Sequence, residues 1–115
     1  MYTSQILPLK MDLDPNTLNP PSKGVITAYI ELPSGFDVSK IDITSMKLIG
    51  TVPVLPKPME IGDYDHDNIP DLMVKFDRPA VIATLTGDGE INIRLILKVG
   101  VVTFEGSDII RVLNK

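Results

Sequence analysis

Along most of the chain the apolar residues fall on every second position. Leu7, Leu9, Met11 and Leu13 alternate with Pro8, Lys10 and Asp12, the period-two pattern of a strand with one buried face. Pro8 cannot donate to a ladder, which places that strand at a sheet edge. From Val25 to Leu32 every residue but Glu31 is β-branched, aromatic or alanine or leucine, with Ile26, Ala28, Ile30 and Leu32 on one face. This composition predicts a central strand. Ile41 and Ile43 continue out of phase with Met46 and Leu48, a slip that predicts a β-bulge near Ser45. Leu72, Val74 and Phe76 mark another strand, and Ile91, Ile93, Leu95, Leu97 and Val99 give the cleanest alternation of all. Gly100 precedes a strand over 101–105, and Gly106-Ser107 reads as a break before a last strand over 108–113.

About seven short strands with turn signals every ten residues or so predict an all-β fold, an antiparallel β-sandwich. One short helix is expected near residues 79–85, where Pro79 fits a helix start. Pro53, Pro56 and Pro58 exclude a helix between Gly50 and Glu60. With 115 residues the chain is the size of one domain. We expect residues 1–115 to form one such module of a longer secreted protein, or a mature form, because Tyr2-Thr3-Ser4-Gln5 has neither the basic start nor the apolar stretch of a signal peptide.

Charge sharpens the picture at one place. The formal net charge is -4, and Glu60, Asp63, Asp65, Asp67 and Asp71 contribute five negative charges with no Lys or Arg between them. The remainder of the chain therefore sums to -4 + 5 = +1, with no basic stripe for a nucleic acid and no polybasic segment for anionic lipid. No stretch approaches the roughly 20 apolar residues of a membrane helix. The absence of cysteine removes disulfides, thiolate metal sites and cysteine nucleophiles.

The acidic run reads Gly62-Asp63-Tyr64-Asp65-His66-Asp67-Asn68-Ile69-Pro70-Asp71. Counting Asp63 as position 1, carboxylates stand at positions 1, 3, 5 and 9, the alternation by which a tight loop turns oxygen ligands toward a hard dication. Without a cation, each pair of such carboxylates 5 Å apart would repel by about 3 kcal/mol at an effective dielectric of 20. The expected calcium ligands are Asp63, Asp65, Asp67, the carbonyl of Ile69 and Asp71, with water completing the shell and Glu60 or Asp77 as a further oxygen donor. Asn68 holds position 6, where the turn needs positive φ and Gly is usual; Asn is the best substitute. Position 12 is Val74 and not the bidentate Glu of a helix-loop-helix site. Weak affinity follows, in the roughly 10 μM to 1 mM range of extracellular modules.

His66, the one histidine, falls at position 4, whose side chain should point away from the ion. It has no second nitrogen or sulfur partner for zinc. Nor is there a base free to activate a serine, and the carboxylate cluster is too dense for the paired acids of a glycosidase. The sequence thus points away from an enzyme.

Taken together, the segments 24–42 (GVITAYIELPSGFDVSKID), 50–53 (GTVP), 60–78 (EIGDYDHDNIPDLMVKFDR) and 104–112 (FEGSDIIRV) resemble a recurring module of secreted archaeal and bacterial multidomain proteins. Its loop usually reads DYDGDGIPDLMVKF, so this chain departs from it at His66 and Asn68. The resemblance implies an immunoglobulin-like sandwich with an embedded calcium loop, used as an accessory or spacer domain at the cell surface. It implies no activity. The function expected is that of a calcium-stabilised extracellular structural or adhesive module, with neighbouring domains or a protein or glycan surface ligand as partners. A carbohydrate-binding accessory module and a subunit of a self-assembling surface structure are the alternatives. The former is disfavoured by the lack of tryptophan and by only three Tyr and three Phe.

Overall fold

The computed structural model describes residues 6–19, 23–56, 60–63, 68–85 and 89–113. These form two stacked sheets, a β-sandwich. The strands are β1 (Ile6–Pro8), β2 (Lys10–Asp14), β3 (Thr17–Leu18), β4 (Val25–Glu31), β5 (Asp42–Leu48), β6 (Val52–Pro53), β7 (Glu60–Gly62), β8 (Asp71–Asp77), β9 (Gly89–Val99) and β10 (Val102–Val112). One sheet has the order β1-β10-β9-β5-β6, with β3 also on β10; the other has the order β2-β4-β8-β7.

The period-two positions account for the core. Ile26, Ala28 and Ile30 of β4, Val74 and Phe76 of β8, Leu95 and Leu97 of β9, and Phe104 of β10 are all fully buried. Phe36 packs edge-on against Phe104, ring centroids 4.8 Å apart at 81°, a favoured aromatic geometry. The strand expected to be central is so, β4 lying between β2 and β8; β9 likewise lies between β10 and β5. The β5–β9 register shifts between Asp42 and Lys47. There Ser45 Oγ donates to the Asp42 carbonyl at 2.6 Å and accepts the Lys98 N–H at 2.9 Å. The hydroxyl thus serves backbone groups where the ladder is irregular.

Two expectations need correction. Residues 102–112 form one strand, not two separated by Gly106-Ser107. Gly106 stays in the ladder because Leu9 passes directly over it: a Cβ there would lie 2.6 Å from the Leu9 carbonyl oxygen. The sandwich is also not wholly antiparallel, since β1 and β3 run parallel to β10. Between them the chain changes sheets, so that β2 pairs with β4 instead. The one short helix expected near residues 79–85 is α1 (Arg78–Ala83). Asp77 caps its start by accepting the Ala80 N–H at 3.1 Å, and the Thr84 hydroxyl closes its end on the Val81 carbonyl at 2.7 Å. Among the described residues no helix is long and apolar enough to cross a membrane.

Candidate metal-binding loop

The acidic run lies between β7 and β8, which pair antiparallel with Gly62 opposite Asp71. Residues 63–70 therefore connect the two strands of a β-hairpin. Entry and exit are both extended, as the three prolines and the Leu72-Val74-Phe76 alternation require.

Three of the five expected ligand residues are described. Asp63 is exposed, and its Oδ2 accepts the backbone N–H of Asn68 at 2.9 Å. Asn68 adopts φ 68°, the left-handed conformation that position 6 demands and that Asn enters more readily than other non-glycine residues. Ile69 is 44% exposed, and with Pro70 it borders a small cavity beside Leu32 and Phe36. Asp71, at the first position of β8, is only 2% exposed. Asp65 and Asp67, with Tyr64 and His66, lie outside the described residues.

The two supplementary donors fare differently. Asp77 is six residues along β8 from Asp71, about 20 Å at strand rise, and its carboxylate caps α1. It is therefore too far from the loop to serve as a ligand. Glu60 pairs with Met73, two positions from the Gly62–Asp71 pair and on the same face, so it remains beside the hairpin.

The face of this sheet turned away from the core carries a feature the sequence reading passed over. The register pairs Lys10 with Glu31 and Ile30 with Leu72, which sets Glu31 beside Asp71. A row Lys10, Glu31, Asp71, Gly62 thus crosses all four strands. Glu31 is 7% exposed although it lies on the outer face, and its Oε2 is 3.5 Å from Lys10 Nζ. Like charges placed side by side on neighbouring strands are destabilising; at 5 Å and an effective dielectric of 20 the repulsion is about 3 kcal/mol. Gly62 has no side chain to crowd Asp71. Next to the row is a cavity of about 630 Å3 bordered by Lys10, Asp12, Tyr29, Glu31, Asp71 and Ser107. The available signal was a lone glutamate ending a run otherwise apolar or β-branched.

Among the described residues no three His, Cys, Asp or Glu side chains are grouped closely enough to enclose an ion. The described donors are all oxygens, and carboxylate and carbonyl oxygens suit calcium far better than zinc or copper. In chemistry and turn geometry the residues fit the ion.

Comparison of the chain with protein-family models, curated proteins and solved structures returns no match.

Proposed function

We propose that this protein is a non-catalytic, calcium-stabilised structural or adhesive module that works outside the cell. The observation that supports it best is the closure of the loop: the Asp63 carboxylate accepts the Asn68 N–H while Asn68 holds φ 68°. Position 1 is thereby fixed against position 6, as in a loop whose alternate carboxylates turn inward. The ion joins Asp63, Asp65, Asp67, the Ile69 carbonyl and Asp71, and so ties the β7–β8 hairpin to the start of a central strand. A binding free energy released only by the folded state adds to folding stability. Weak affinity suits surroundings where calcium is abundant, which is why we place the module at the cell surface or in a secreted protein, next to other domains.

Thermal melts in EDTA and in calcium test this. For a dissociation constant of about 0.1 mM, 1 mM free calcium should add about 1.4 kcal/mol, roughly 5 °C in Tm for a domain of this size. The paired substitution Asp65→Ala with Asp67→Ala should erase the difference. Identical melts of the parent protein in both solutions would rule the proposal out.

A further inference from the structure

We infer that copies of this chain dock on one another through the two outer faces of the sandwich: the outer face of the β1-β10-β9-β5-β6 sheet receives the acidic outer face of the β2-β4-β8-β7 sheet of a second copy. This goes beyond the calcium reading of the loop and does not depend on it.

The two sides of the sandwich differ in sign. On the four-stranded sheet, the positions that alternate with the core carry Asp12, Asp14, Glu31, Glu60, Asp71 and Asp77 against Lys10 and Lys75, a net charge of -4. Both lysines turn back onto their own sheet: Lys10 Nζ lies 3.5 Å from Glu31 Oε2, and Lys75 Nζ donates to the Thr27 hydroxyl at 2.8 Å. On the other sheet Lys47, Arg94, Lys98 and Arg111 stand against Asp42, Glu90 and Glu105, a net charge of +1. There two of the anions are held locally. Glu105 Oε1 lies 3.0 Å from Arg94 Nε, and the Asp42 carboxylate accepts the N–H and the hydroxyl of Thr44 at 3.1 and 2.7 Å. Among the described residues, Lys47 and Lys98 on one face and Asp12 and Asp14 on the other enter no ion pair. The basic face also presents Ile6 and Ile109, 57% and 55% exposed, and Ile96 stands on it between Glu105 and Lys47. Opposite potentials on facing patches steer encounter and fix register.

The area available makes the contact a weak one. At about 3.3 Å per residue and about 4.8 Å between strands, the eleven-residue β9 and β10 with β1 and β5 beside them offer at most about 650 Å2. A specific interface needs about 600 Å2 per partner. Because the two faces lie on opposite sides of one sandwich, a copy bound through one still offers the other. Such a head-to-tail contact extends into a row of copies unless its rotation closes a ring.

Sedimentation equilibrium of the full chain in EDTA tests this without the ion, at protein concentrations up to about 1 mM so that dissociation constants of that order are reached. The average mass should rise with concentration past that of a dimer, and fall back toward the monomer as salt is raised. Lys47→Glu with Lys98→Glu reverses one face, and Asp12→Lys with Asp14→Lys reverses the other. Each variant alone should stay monomeric, and an equimolar mixture should associate again, since each meets in the other a face of opposite charge. Thermal melts show whether the variants fold. If a reversal does not, Lys47→Gln with Lys98→Gln and Asp12→Asn with Asp14→Asn should each weaken self-association by about threefold or more. A parent protein that stays monomeric throughout, a mass that stops at two copies, or variants of either face that associate like the parent would overturn the inference.

Discussion

At Asn68 a single backbone angle decides whether the loop can close. The residue holds φ 68° and gives its N–H to Asp63, a geometry that costs most L-residues roughly 1–2 kcal/mol. Asn escapes much of that cost, and Gly escapes nearly all of it. Asn68→Ala should therefore destabilise the protein by about 1 kcal/mol, while Asn68→Gly should lie within about 0.5 kcal/mol of the parent because its gain in backbone freedom offsets its loss of strain. Urea unfolding in EDTA checks both without the ion's contribution; equal midpoints for the Ala variant and the parent would show that the loop does not depend on this conformation. The need for positive φ could be read from the spacing of the aspartates alone. The burial of Asp71 could not, because it depends on which strand lies beside β8, and that pairing joins residues about forty positions apart.

Element boundaries show the same division between local and distant causes. β4, β8 and β9 were legible because their alternation states which face is inside, and no other chain segment is needed to say so. The bulge in β5 was legible from the break between Ile43 and Met46, a local signal of the same kind. Gly106 misled because glycine ordinarily weakens a strand, and its cause here lies in another segment. β10 runs straight through it under Leu9, whose N–H donates to the Glu105 carbonyl at 3.0 Å. Gly106→Ala puts a methyl group against the Leu9 carbonyl oxygen. Backbone cannot swing aside as a side chain can, so the substitution should cost about 2 kcal/mol, in the range of overpacked sites. Chemical denaturation measures it; an alanine variant as stable as the parent would mean that the crossing at Leu9 yields easily.

For the molecule as a whole, the seam between the two sheets matters most, because one continuous stretch of chain closes it. Residues 6–18 run beside β10, first as β1, then shifted onto the other sheet as β2, then back as β3. Where β2 leaves β10, Asp108 spans the gap: its Oδ2 accepts the Leu13 N–H at 2.9 Å and its Oδ1 the Ile109 N–H at 2.8 Å. That carboxylate has an electrostatic consequence. Burial, then the charges of Asp108 and Asp14, hold the Asp12 carboxyl above its ordinary range. A carboxyl raised in the folded state binds its proton more tightly there than in the unfolded chain. Asp12 therefore costs stability once the pH exceeds its folded value, and that cost is relieved as the pH falls toward the ordinary carboxylate range. Asp12→Asn should stabilise the protein at pH 7 by on the order of 0.3 kcal/mol, a small effect because the side chain is exposed and screened. The advantage should shrink on acidification and vanish only well below pH 3.8, where the carboxyl is protonated in folded and unfolded chains alike. Paired urea titrations of the two proteins from pH 7 to pH 3.5 would trace the difference, and an advantage that grows at low pH would contradict the assigned direction. Low salt should enlarge the neutral-pH gap, since the repulsion among Asp12, Asp14 and Asp108 acts across partly exposed ground.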